Sequence, residues 1–290
     1  MPKIEYATSD VIIPNKEFRI FRLAPLNITS NDVLELSKKF TLKGTLDVGR
    51  ISITENIIQY FESGYQIKHC LKSGAFRFRN TVKSKIDSGK SIIEFDKQNA
   101  IKIAGNFINA SKHIPIDETG EIKFNKTVTK QILTDGTSAE ERIIEVGIIF
   151  PRVIDEIPVD SPGGKAFVYI NHDYEITGFD CYWRQIQSTE ATVSASEIHP
   201  PSFALERLQS HVEYSFATKI EVKEIRFGYF EDGWGHTQEF VQPAYIIPYT
   251  LFSRAGIKST AMFVISALKK PYGEIMQRPP EKIIQYPRQK

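Results

Sequence analysis

The segment 148–186, IIFPRVIDEIPVDSPGGKAFVYINHDYEITGFDCYWRQI, decides the fold class. It reads as three strands joined by two turns. Pro162-Gly163-Gly164 is a turn or bulge signal, because glycine reaches positive φ without steric cost, and Asn171-His172-Asp173 is a polar turn between apolar runs. AFVYI (166–170) and EITGF (175–179) carry the β-branched and aromatic residues that suit a half-buried pleated surface.

Upstream, FRIFRL (18–23) alternates apolar and basic residues and predicts an edge strand. Thr29, Ser30, Asn31 and Asp32 offer N-caps for a helix over 31–39, where Val33, Leu34, Leu36 and Phe40 recur at helical spacing. Residues 51–53, 57–61, 65–71 and 75–79 predict a meander with turns at Ser63-Gly64 and Ser73-Gly74. A strand over 91–95 then leads to a helix over 96–110, capped by Asp96, with Ala100, Ile101, Ala104, Phe107 and Ile108 as its apolar stripe.

Downstream, Ser194 and Glu197 make a capping-box pattern ahead of a helix that starts at about Pro201 and carries Phe203, Leu205, Leu208 and Val212. Strands over 220–230, 240–249 and 260–268 follow, and the tail from Pro271 is extended. This order predicts an α+β fold of mostly antiparallel sheets with helices packed on one face, in which 57–110 and 148–212 match in element order as a pseudo-repeat. The expected domains are an N-terminal α+β half over 1–116, a linker or excursion over 117–141, and a C-terminal α+β half over 142–290, the two halves able to pack as one domain.

Composition excludes several classes. With 41% hydrophobic and 25% charged residues, the 290-residue chain is globular material and not a disordered one. The net charge is +2 and no basic run exceeds a lysine pair such as Lys38-Lys39, so no nucleic-acid partner is expected. No window reaches the length of a membrane span and residues 1–10 lack an apolar h-region, which predicts a cytoplasmic protein without a membrane partner. Cys70 and Cys181 read as buried thiols. Metal-site spacings, a P-loop, a G-x-G-x-x-G motif and a G-x-S-x-G elbow are absent, so neither metal nor other cofactor is expected.

Three groups of residues could carry chemistry. In AFRFR (75–79) the period of two puts Phe76 and Phe78 on one face and Arg77 and Arg79 on the other, where the two guanidinium groups could clamp a substrate carboxylate or meet cross-strand acidic partners. Glu94, inside IIEF (92–95), has apolar neighbours that would raise its pKa and fit it to move protons, unless it faces outward. In YFEDGWGHTQEF (229–240), Trp234 could stack on an aromatic ligand, His236 could shuttle protons and Glu239 could bind substrate; the other reading is a hairpin loop with its tryptophan folded back.

The order strand, VIDEIPV (153–159), Gly163-Gly164, strand, polar turn, strand resembles the PepSY and propeptide-type α+β repeat. That resemblance implies a repeated scaffold and a binding or inhibitory role. Chain length, the helix after an opening strand, and SGAFRFR (73–79) also make the chain similar to microbial β-carboline synthases, the Pictet–Spenglerases. This second resemblance implies a cytoplasmic, cofactor-independent homodimer that condenses tryptophan with an aldehyde, using a glutamate assisted by an arginine and a histidine. The expected function is therefore acid–base cyclisation of a small aromatic substrate, with Glu94 and His236 catalytic and Arg77, Arg79, Trp234 and Glu239 binding substrate. A binding module and a structural homo-oligomer are the alternatives. A dimer contact is expected at the edge of the first strand or at the proline-rich tail.

Overall fold

The computed structural model describes residues 3–6, 11–41, 47–84, 95–129, 142–212, 217–253 and 258–275. In chain order its strands and α-helices are β1 (Lys3–Tyr6), β2 (Phe18–Leu23), α1 (Ser30–Thr41), β3 (Ile51–Ile53), β4 (Ile57–Glu62), β5 (Tyr65–Cys70), β6 (Phe76–Asn80), α2 (Lys97–Ser111), β7 (Lys123–Thr129) and β8 (Arg142–Pro151). There follow β9 (Val153–Ile154), β10 (Ile157–Pro158), β11 (Lys165–Ile170), β12 (Ile176–Cys181), β13 (Ile186–Val193), α3 (Pro201–Val212), β14 (Ala217–Val222), β15 (Arg226–Phe230), β16 (Phe240–Ser253) and β17 (Lys258–Ser266). The mixed α+β class with mainly antiparallel sheets is as expected. Residues 91–94 and 276–290, for which a strand and an extended tail are expected, lie outside the described residues.

The chain does not divide at 117–141. One unit comprises Ala24–Gln185 with Glu231–Thr237, and the other Met1–Leu23, Ile186–Phe230 and Gln238–Lys290. The reason is pairing: β7 lies inside the supposed linker, yet it is hydrogen-bonded to β8 over most of its length, so both halves of the expected division share one sheet.

That sheet has eight strands in the order β3-β4-β5-β6-β12-β11-β8-β7. Each helix of the unit precedes four of them, α1 before β3–β6 and α2 before β7, β8, β11 and β12, so the order is palindromic about the antiparallel β6–β12 pair. In this sheet each helix thus comes ahead of its four strands. The sequence expectation placed the helix last, and the helix that follows the second meander, α3, belongs to the other unit.

Strand periodicity sorts the two faces of this sheet. Tyr60, Ile67, Phe78, Phe179, Val168 and Ile148 stand in register across six strands, all buried, and α1 lays Val33 and Leu36 on this core while α2 lays Ala100, Ala104 and Ile108 on it. One position along, the row is Lys68, Arg77, Asp180, Phe167 and Ile149, which faces away from the helices. α2 begins where Asp96 accepts hydrogen bonds from the Gln98 and Asn99 amides at 3.0 and 3.1 Å, as its cap position predicts.

The other unit is a seven-stranded sheet, β1-β14-β16-β2-β13, with β15 and β17 also on the long β16 and only the β1–β14 pair parallel. β2 is not the edge strand expected. It lies between β13 and β16, because Phe18, Ile20, Phe21 and Leu23 are all buried and both its edges are taken. The run 220–230 is two strands, broken at residues 223–225, and the Ser194–Glu197 box opens a 3₁₀ turn over Ala195–Glu197, ahead of α3.

The segment that opened the sequence reading holds β8, β11 and β12, with one addition. β9 and β10 form a small hairpin whose turn residues Asp155 and Glu156 have φ of 52° and 64°. The glycine pair then does two different jobs. Gly164 takes φ of 60°, whereas Gly163 is required by close approach: a Cβ there would lie 2.3 Å from the Asp232 carbonyl oxygen. The Gly163 amide donates to the Glu231 carbonyl at 2.9 Å.

This contact seats Glu231 beside Arg152, the two being 0% and 1% exposed. Arg152 Nη1 donates to Glu231 Oε2 at 2.8 Å and Nε to Glu118 at 2.7 Å, while Glu231 Oε1 accepts the Arg184 amide at 2.7 Å. Removing one charge from a buried pair strands the other, so Glu231→Gln should lower the free energy of unfolding by about 3–5 kcal/mol in urea titrations. Arg152→Met combined with Glu231→Leu should recover part of that loss; a single variant within 1 kcal/mol of the parent, as is usual for exposed pairs, would show that the pair is not the constraint described.

Candidate functional site

Arg77, Arg79 and Trp234 do come together, on the sheet face away from the helices. The Arg77 guanidinium carbon lies 4.7 Å from the Trp234 ring centroid and 5.5 Å from that of Tyr182, and Arg79 lies 4.2 Å above Tyr169. The carboxylate they hold is the protein's own. Asp180, buried and opposite Arg77 in register, accepts from Arg79 Nη1 at 2.6 Å and Nη2 at 3.0 Å, with the Tyr169 hydroxyl at 3.3 Å. Gly178 leaves the space for this, since a Cβ there would stand 2.8 Å from Arg79 Nη1.

The expected substrate clamp is therefore a satisfied cross-strand ion pair, the second of the two sequence readings. Arg77, with a side chain 44% exposed, spends its Nε on the Tyr182 hydroxyl at 2.8 Å. Trp234 is half-buried over Arg77, and His236 offers its backbone carbonyl to Arg184 Nη2 at 2.6 Å. Glu239 is not in this group: it belongs to the other unit, where its carboxylate pairs with Arg22. Glu94 lies outside the described residues.

The helix side of the same sheet holds the cleft that the sequence reading missed. It has a volume of about 710 Å³, with Asp32, Glu35, Lys38 and Lys39 of α1, His69 of β5, Phe76 of β6, His113 just after α2, and Cys181 and Trp183 from the end of β12 among its lining residues. The α1 residues are exposed, while His69 and Trp183 are 9% and 6% exposed. The cleft thus has a charged rim and an apolar floor, the usual make-up of a small-molecule site.

Two buried polar atoms of residues lining the cleft have no hydrogen-bond partner among the described residues. His69 Nε2 is 3.1 Å from the Gly74 carbonyl, which can only accept, so Nε2 carries the proton and Nδ1 is left as a lone-pair acceptor. Nδ1 is buried and unbonded, and so is the Trp183 indole nitrogen, a donor only. A buried polar group left unsatisfied costs about 1–3 kcal/mol, and one such acceptor and one such donor belong to residues lining this cleft.

Electrostatics keep the floor neutral. Burial is the main force lowering the His69 pKa, against opposing contributions from the Gly74 bond and Asp32. His113 is pushed down to about 4 by burial, then by the Lys39 ammonium 3.3 Å away and by His69. Burial pushes the Cys181 thiol up to about 12, which removes it as a nucleophile at neutral pH. With both imidazoles neutral, the lining residues offer a lone-pair acceptor at His69 Nδ1 and a hydrogen-bond donor at the Trp183 indole.

No family model matches the chain, and no curated protein matches it. Among solved structures it is similar to an uncharacterized protein from Eubacterium rectale ATCC 33656, at 12% identity and a TM-score of 0.51, over 94% of this chain and 91% of that one. That likeness concerns the fold alone. Among the described residues no helix is long and apolar enough to cross a membrane.

The His113 shift has a consequence for stability. Between its folded pKa of about 4 and the ordinary value of 6.5, the unfolded chain binds a proton that the folded chain refuses, so stability rises with pH through this window and falls as pH drops. At about 1.4 kcal/mol per unit, discounted for partial exposure, His113 should account for about 1–3 kcal/mol of the stability lost between pH 7 and pH 4.5. Urea unfolding of His113→Phe at both pH values should show a loss smaller by that amount; an identical loss would remove His113 from the buried, neutral floor.

Proposed function

We propose that the chain is a cofactor-independent acid–base enzyme for a small aromatic substrate, acting in the cleft between α1 and the end of α2. The observation that carries this reading is the unpartnered pair in the cleft floor, the His69 Nδ1 acceptor and the Trp183 N–H donor. A neutral imidazole whose other nitrogen is fixed by a carbonyl is poised as a base, and a buried indole N–H can hold the oxygen or nitrogen of a bound molecule.

Condensation of tryptophan with an aldehyde is the reaction we assign to this cleft. The amine and aldehyde take up one proton and lose water to form an iminium ion, the aromatic ring carbon attacks it, and the ring proton must then leave to a base, restoring the proton taken up. His69 Nδ1 supplies the lone pair for that last step. The proton acceptor in this proposal is His69 in place of Glu94.

Incubating the protein with tryptophan and acetaldehyde should give a product of their summed mass less one water, at a rate well above the buffer blank. His69→Phe should cut that excess rate by about 10²–10⁴-fold, the usual contribution of a positioned base, with far-UV circular dichroism unchanged. Trp183→Phe, which keeps the ring and removes the donor, should raise KM more than it lowers kcat. A rate equal to the blank, or a His69 variant as active as the parent, rejects the reading.

A further inference from the structure

A second cleft, of about 500 Å³, opens on the same helix-bearing face of the sheet and is lined largely by apolar side chains, Phe40, Tyr65, Phe78 and Phe107 among them. Its rings form a graded array: Phe40 stacks on Phe78 at 5.2 Å and 17° between planes, Tyr65 stacks on Phe78 at 6.4 Å and 17°, and Phe107 tilts against Phe40 at 5.8 Å. The lysine of this cleft that sits among charged neighbours, Lys83, is neutralised by Glu175 at 2.8 Å.

One residue lines both clefts, Lys39. Its ammonium donates to the Ser111 carbonyl at the end of α2 and stands 3.3 Å from His113 Nε2, and neither partner is an anion. Glu35, the carboxylate nearest in sequence, is taken by Lys38 at 2.8 Å. Among the described residues no carboxylate pairs with Lys39, and the residue is exposed to an incoming ligand. The groove between α1 and α2 therefore carries an uncompensated cation midway between a polar compartment that can exchange hydrogen bonds and an aromatic one.

We propose that the two clefts form one binding groove for an aromatic carboxylate, whose anionic group sits on the Lys39 ammonium, with the reacting ring on the His69 side and the apolar remainder toward Phe40, Tyr65, Phe78 and Phe107. This names the substrate class of the site proposed above and rests on that reading. Lysine suits the role as a compact point charge with three donors, of which two are already directed at neutral acceptors and one remains for an anion. Ring burial supplies affinity, and the charge supplies the choice between an acid and its neutral isostere.

The test is calorimetric titration with naphthalene-2-carboxylate and with naphthalene-2-carboxamide, which share a shape and differ in charge. The parent should bind the carboxylate about tenfold more tightly, in keeping with one charge-assisted hydrogen bond, and 0.5 M salt should erode that preference. Lys39→Met should abolish the preference while leaving the carboxamide affinity as it was, and Lys39→Arg should restore it. Failure of both compounds to bind, equal binding of the two by the parent, or a preference that survives Lys39→Met or high salt overturns the proposal. The salt series on the parent decides the matter even if a variant does not fold. His69→Phe separates this proposal from the catalytic one, since it should leave the preference for the acid intact whether or not turnover depends on His69.

Discussion

The Arg152–Glu231 ion pair sets the positions of the side chains that matter on both faces of the eight-stranded sheet. Burying two charges without water is tolerable only where each is matched, and here each is: Glu118 and the Arg184 carbonyl complete Arg152, while the Arg184 amide completes Glu231. The Arg184 bond fixes the backbone immediately after Trp183, and the Arg152 guanidinium lies 5.1 Å over the Trp183 ring. The same pair anchors the start of Glu231–Thr237, the segment that brings Trp234 onto Arg77. Gly163 makes the arrangement possible, since any side chain at that position would meet the backbone of residues 231 and 232.

The two faces differ in whether their polar groups are finished. On the open face, Arg79, Asp180 and Tyr169 satisfy one another, and Arg77 is held between two rings with its Nε on the Tyr182 hydroxyl. On the helix face, among the described residues, the His69 Nδ1 and Trp183 indole nitrogens have no hydrogen-bond partner and Lys39 has neutral partners but no carboxylate, all three residues lining one cleft. The proposed site is on the second face because unspent hydrogen-bonding capacity in a concave, partly apolar cleft is what a ligand could complete.

Much of the fold was legible locally. Period-two alternation in residues 75–79 placed Phe76 and Phe78 in the core and both arginines outside it, and the cap at Asp96 and the apolar stripe of α2 were read correctly. Errors arose where pairing partners are distant in sequence. β2 has the alternation of an edge strand, yet it is central because β13 and β16, more than 160 residues further along, cover both its edges. The helices were grouped with the meander before them, since nothing in the local pattern tells which meander a helix packs on.

The site was less legible than the fold. His69 carries the same strand signal as any core residue, and His113 sits in a short segment after α2 with no motif around it; their meeting with Trp183 depends on β5, α2 and β12 converging at the centre of the sheet. Arg77 and Arg79 were found because alternation is local, but their role was settled by Asp180, which sits on another strand a hundred residues away. The amino-acid sequence by itself determined which residues form helices and strands and which face of each is apolar, because those properties depend on neighbours within a few positions. The tertiary structure alone decided which polar groups find partners and which are left open to a ligand, because that depends on register and packing between segments far apart along the chain.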